Sequence, residues 1–104
     1  MVTHEQKVAY IRKKTPIADR YEQLAEELIE AAHAAMKIAR LTRGVSPSPI
    51  NIHEAHLRFC DEFGDVLAVL DVEGFDSSTS IGCANYKVDR WYGRLKEREQ
   101  NEHN

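Results

Sequence analysis

Cysteine, glycine, proline and long apolar runs are all scarce in this 104-residue chain, with two, five and three of the first three. Cys60 and Cys83 stand apart and in no cluster with histidine, which excludes a disulfide scaffold and suits reduced thiols. So few glycines leave no glycine-rich loop of the kind that cradles phosphates. No apolar run approaches the ~20 residues of a membrane span, and the opening MVTHEQKVAY lacks the apolar core of a signal peptide. The expected location is therefore cytoplasmic. Strict polar–apolar alternation is also missing, which removes β-strands. A net charge of -3 weighs against a general nucleic-acid binder. The length suits one domain, residues 1–104, with one modest core.

What remains is helical pattern, divided by the few prolines and glycines. Residues 3–13 read as a short helix with Val8 and Ile11 inward. Thr15-Pro16 has the form of an N-cap followed by proline at the first helical position. From there Ile17, Tyr21, Leu24, Leu28, Ala31, Ala35 and Ile38 recur in steps of four and three, one face of a long helix that Gly44 stops. VSPSPI is a loop. Asn51 with Glu54 resembles a capping box and starts a third helix to about Glu73, with the stripe Phe59, Phe63, Val66 and Leu70. A last helix spans about Ile81 to Arg98, and the tail from about residue 99 to 104 is expected to fray. The fold class is all-α, with four helices.

Two of these helices carry an echo. In LAEELIEA, the residues Leu24, Glu27, Leu28, Glu30 and Ala31 match Phe59, Glu62, Phe63, Asp65 and Val66 of FCDEFGDV in offset. At about 100° per residue each acidic pair spans some 60° along the margin of an apolar stripe. One reading is solvated surface charge. The other is a shared site: four carboxylates on adjacent helices repel one another, and a hard divalent cation with oxygen ligands relieves that repulsion.

EELIE followed by EFGD has the form EExxE…ExxD. With ANYKVDRW further on, which fits Asn-x-Lys-x-x-Arg, the chain from about Tyr21 to Leu95 resembles the MazG-like all-α nucleoside triphosphate pyrophosphohydrolases, in particular the small single-domain members of phages and bacteria. The resemblance implies a four-helix bundle completed by dimerisation, as a homodimer or a dimer of dimers. It implies Mg²⁺-dependent cleavage of a (d)NTP to (d)NMP and pyrophosphate, with Mn²⁺ as a possible substitute. Carried over position by position, Glu27, Glu30, Glu62 and Asp65 are the metal ligands. Glu26 and Glu27 serve the attacking water. Asn85, Lys87 and Arg90, with Lys37, meet the phosphates. The 31 residues between Glu30 and Glu62 are at the long end for the family, and Gly64 inside ExxD weakens its helix or permits a close helix approach.

Other groups are weighed beside these. His53, Glu54 and His56 lack the spacing of the HExxH zinc signature. His33 lies beside the acidic motif. Cys60 reads as packing, and Arg12, Lys13 and Lys14 as a solvated basic patch. The alanine-rich AAHAAMKIA and the aromatics Trp91 and Tyr92 suit either the chain's own core or an interface. Two rivals to the enzyme stay open: an all-α interaction module without activity, and a nucleic-acid binder using Lys87, Arg90, Arg94, Lys96 and Arg98.

Overall fold

Most helix boundaries follow from a capping device, and together they define four elements. In a computed structural model, in which residues 1–45 and 50–103 are described, these are α1 (His4–Lys14), α2 (Ile17–Arg43), α3 (Ile52–Glu73) and α4 (Ser78–His103). Among the described residues there is no strand. Most of the expected VSPSPI loop, residues 46–49, lies outside them.

Thr3 opens α1 with a capping box: its hydroxyl accepts from the Gln6 N–H at 3.1 Å, and the Gln6 side chain accepts from the Thr3 N–H at 2.9 Å. Asn51 opens α3 by accepting from the Glu54 N–H at 2.9 Å. Gly44 and Gly74 close α2 and α3 at φ 71° and 75°, the left-handed conformation that glycine adopts without strain.

Three expectations at the ends are corrected. Thr15 closes α1 rather than capping α2; its hydroxyl donates to the Ile11 carbonyl at 2.7 Å, and Pro16 occupies the N-cap with no side-chain bond. Proline forces the residue before it out of the helical region, so Thr15 ends the first helix. α4 starts at Ser78, ahead of Ile81, because Asp76 accepts the Ser78 N–H at 3.0 Å. That bond holds the Asp76 carboxyl below its ordinary range. At the other end the helix extends to His103 rather than stopping at Arg98, with no glycine or proline in residues 99–103.

α2 and α3 pack along their lengths, and α1 lies against α3. Their inward positions recur in steps of four and three. On α2 these are Arg20, Leu24, Glu27, Ala31, Ala34, Ile38 and Leu41; on α3, Ala55, Phe59, Glu62, Val66, Val69 and Glu73. This is the seam spacing of antiparallel helix pairs. It is rotated from the expected stripes, leaving Ile17, Tyr21, Leu28 and Phe63 at 42–60% exposure on the outside. Ile11 is likewise exposed.

The seam is pinned where α1, α2 and α3 meet. Arg20 Nε donates to Glu73 Oε2 at 2.6 Å, and its Nη1 donates to the carbonyl of Arg12 at 3.0 Å and to that of Thr15. Arg12 Nε in turn donates to the Val72 carbonyl at 2.6 Å. With both side chains of the Arg20–Glu73 pair mostly enclosed, removing one partner costs about 3 kcal/mol. The pair also sets the register. Each turn forward on α2 is a turn back on α3, so Leu24 comes level with Val69, Glu27 with Val66 and Ala31 with Glu62.

The hydrophobic core of this arrangement is Ala31, Ala55, Val66 and Val69. α4 packs on none of the other helices to any extent and has no buried residue. The radius of gyration is 18.8 Å, against about 13 Å for a compact chain of this length. Among the described residues no helix is long and apolar enough to cross a membrane.

Candidate metal centre

Seam positions are where an antiparallel pair buries its apolar side chains, yet besides Glu73, which pairs with Arg20, two of them hold glutamates. Glu27 and Glu62 are half-buried there, while Glu30, three residues after Glu27, reaches the same spot from the outer margin of α2. Carboxylate oxygens of Glu27, Glu30 and Glu62 lie within 4.8 Å of one another. The packing of α2 on α3 brings them together, and the small side chain of Ala31, level with Glu62, leaves room for the cluster.

The electrostatics are those of carboxylates crowded together and partly withdrawn from solvent. Burial pushes the Glu27 carboxyl above its ordinary range, and the charges of Asp65, Glu30 and Glu26 add to the effect. Glu62 is raised by burial first, then by a hydrogen bond shared with Glu30 and by the charges of Glu30, Asp65 and Asp61. One oxygen of Glu27, Oε2, is buried and has no hydrogen-bond partner. A buried polar atom without a partner destabilises a fold, and here it belongs to a residue of an all-oxygen donor set. Such a set matches the ligand preference of Mg²⁺ or Mn²⁺. In fit, the residues suit the ion.

The expected site residues divide into two groups. Glu27, Glu30 and Glu62 converge; Asp65 is exposed and close enough to raise both Glu27 and Glu62, though outside the tight triad. Glu26 is exposed and acts on Glu27 as a neighbouring charge. Lys37 and His33 line a cleft between α2 and α3 together with Glu30, Ala34, Ile50, Ala55, Arg58 and Glu62. Asn85, Lys87 and Arg90 are on α4, which lies unpacked, so one chain by itself does not bring them to the carboxylates. The Arg90 guanidinium sits over its own helix's Tyr86 ring at 5.9 Å.

Two further readings are corrected. Cys60 is exposed and free, as is Cys83, so neither contributes packing. A Cβ built on Gly64 meets nothing within 4 Å, so this glycine does not mark a close helix approach. Arg58 escaped the sequence reading. It sits one turn before Glu62 on the same face, a signal that has meaning only once the cleft is known.

No protein-family model matches this chain, and no curated protein and no solved structure is significantly similar to it.

Proposed function

We propose that this protein is a Mg²⁺-dependent nucleoside triphosphate pyrophosphohydrolase of the MazG-like kind, acting in the cytoplasm on the nucleotide pool. The observation that carries this reading is the convergence of Glu30 on Glu27 and Glu62 at the seam, with Glu27 Oε2 buried and unpartnered. A helix pair selected only for stability places apolar side chains there, so the carboxylates need a reason, and cation binding is one.

Glu27, Glu30 and Glu62, joined by Asp65, would hold the ion. When bound, the ion supplies Lewis acidity toward phosphate oxygens and toward an attacking water. Glu26, exposed beside the cluster, would orient that water and accept its proton. One water adds across the α–β anhydride: its oxygen bonds to phosphorus, and pyrophosphate leaves with the electrons of the broken P–O bond.

The same reading calls for a second copy of the chain. One chain exposes 8600 Å², roughly 2,600 Å² more than a compact protein of 11.9 kDa. α4 carries its own stripe in steps of three and four, Ile81, Ala84, Val88, Trp91 and Leu95, all exposed. Seated on the outer apolar faces of α2 and α3 of a partner, in a homodimer or a dimer of dimers, α4 would deliver Asn85, Lys87 and Arg90 to the phosphates. No membrane or nucleic-acid partner belongs to this reading.

The test is pyrophosphate release from a panel of (d)NTPs with Mg²⁺. Glu27→Gln and Asp65→Asn are expected to abolish it with helicity retained. An absence of release from every nucleotide, with no thermal shift on adding Mg²⁺ or Mn²⁺, defeats the enzyme. A non-catalytic helical interaction module would then stand, favoured by the bare α4 stripe.

A further inference from the structure

The cleft beside the carboxylates has a second chemistry on its other wall. It encloses about 320 Å³ between α2 and α3, with Glu30 and Glu62 among its lining residues. Lys37 and Arg58, one from each helix, line it with His33, and Ala34, Ile50 and Ala55 form the remaining wall. Among the described residues, neither Lys37 nor Arg58 takes part in an ion pair. Acids are close at hand on both helices, yet these two cations are left unpaired in a concave site.

We infer that Arg58 and Lys37 form an anion subsite that grips the pyrophosphate portion of a polyphosphate substrate within a single chain, independently of α4. The inference rests on the metal-dependent reading above for the source of the anion. Charge decides the ligand class. The cations of Lys37 and Arg58 only balance Glu30 and Glu62, so the cleft alone holds a multiply charged anion weakly. A divalent ion on the carboxylates would offset the further charges of Glu27 and Asp65, bring the whole set to neutrality and supply oxygen-seeking charge to the same cleft. Arg58 supplies a planar fork suited to phosphate oxygens, and Lys37 a point charge. The volume is at the small end of ligand pockets, suited to part of a nucleotide rather than all of it. The proposal therefore assigns the leaving group to α2 and α3. The side chains of α4 are left to meet the remainder of the substrate.

Calorimetric titration of the full-length chain with inorganic pyrophosphate, with and without Mg²⁺, tests this. Arg58→Gln is expected to weaken pyrophosphate binding about tenfold. Lys37→Gln should weaken it by a smaller factor. Arg40→Gln, which removes the same charge from α2 outside the cleft, should leave affinity unchanged. Titration with Mn²⁺ alone, followed by its paramagnetic signal, is expected to be the same for Arg58→Gln and wild type. Unchanged pyrophosphate affinity in Arg58→Gln overturns the subsite, as does an absence of pyrophosphate binding to the wild type. An equal loss in Arg40→Gln also overturns it, by reducing the effect to net charge. Loss of Mn²⁺ binding from the wild type instead counts against the metal reading. Pyrophosphate binding that still depends on Arg58 in that case keeps the subsite and discards the ion.

Discussion

Replacing Trp91 by alanine is the sharpest test of whether one chain is a complete unit. The indole is 67% exposed in the middle of the α4 stripe, and α4 has no buried residue. The substitution therefore removes no packing within the chain, and a monomer would lose almost nothing. In a dimer the outcome differs. The surplus surface of roughly 2,600 Å² per chain is of the size that obligate partners bury. A tryptophan near the centre of such an interface contributes about 3 kcal/mol, close to a hundredfold in dissociation constant. Sedimentation equilibrium from sub-micromolar to about 100 µM chain reads this directly. The wild type should sediment at a multiple of the 11.9 kDa chain mass, and Trp91→Ala should dissociate at markedly higher concentration. Circular dichroism at matched concentration checks that α4 stays helical where the chains remain paired. A wild-type chain that stays at 11.9 kDa throughout, keeps a radius of gyration near 18.8 Å by solution scattering and still melts cooperatively would refute the reasoning.

The acidic cluster predicts an unusual pH response. Glu27 and Glu62 have folded-state pKa values raised above the ordinary carboxylate range, so the folded chain holds these protons more tightly than the unfolded one. The associated stability is full below the ordinary carboxylate range and is lost as pH rises through the raised values. The melting temperature without metal should therefore fall over that window, and Mg²⁺ or Mn²⁺ should remove the fall, as should the Glu27→Gln, Glu62→Gln double variant. A flat profile for the metal-free wild type contradicts the burial of these groups. At Gly64, alanine should stabilise the chain by up to about 1 kcal/mol, since the position is helical and the added methyl meets open space. Gly74→Ala should do the reverse, because φ is +75° and the new Cβ would stand 2.8 Å from Arg12 Nη2. Denaturant melts distinguish the two, and destabilisation by Gly64→Ala would show that this glycine has a neighbour after all, most plainly one in a second chain.

Helix number and most boundaries were legible because capping chemistry is local. Asn51 and Gly44 act on backbone groups within a turn of themselves, so their meaning needs no tertiary context. Thr15 was misassigned because it stands between two helices and its hydroxyl had a choice of carbonyl or amide. The stripes were less legible. On α2, the set beginning at Ile17 and Tyr21 and the set beginning at Arg20 and Leu24 both follow the four–three spacing. Periodicity cannot rank them, and contact with α3 selects the second.

The acidic residues of the site are an intermediate case. Their spacing along each helix, Glu27 to Glu30 and Glu62 to Asp65, is set by the sequence, because the α-helix converts a separation of three residues into neighbouring side chains. The sequence by itself likewise determined four helices, some of the caps that end them and, among the described residues, the lack of any strand or membrane-spanning helix. Only the tertiary structure decided that Glu27 and Glu62 enter the seam, that Asp65 stays at its edge, and that Lys37 and Arg58 share a cleft with Glu30. It alone also decided that Asn85, Lys87 and Arg90 stand away from the site on an unpacked helix. The reason is physical. Local spacing specifies direction around one helix axis, whereas meeting across helices depends on register and rotation. Those are set here by the Arg20–Glu73 pair and by which face of each helix is small enough to let the other approach.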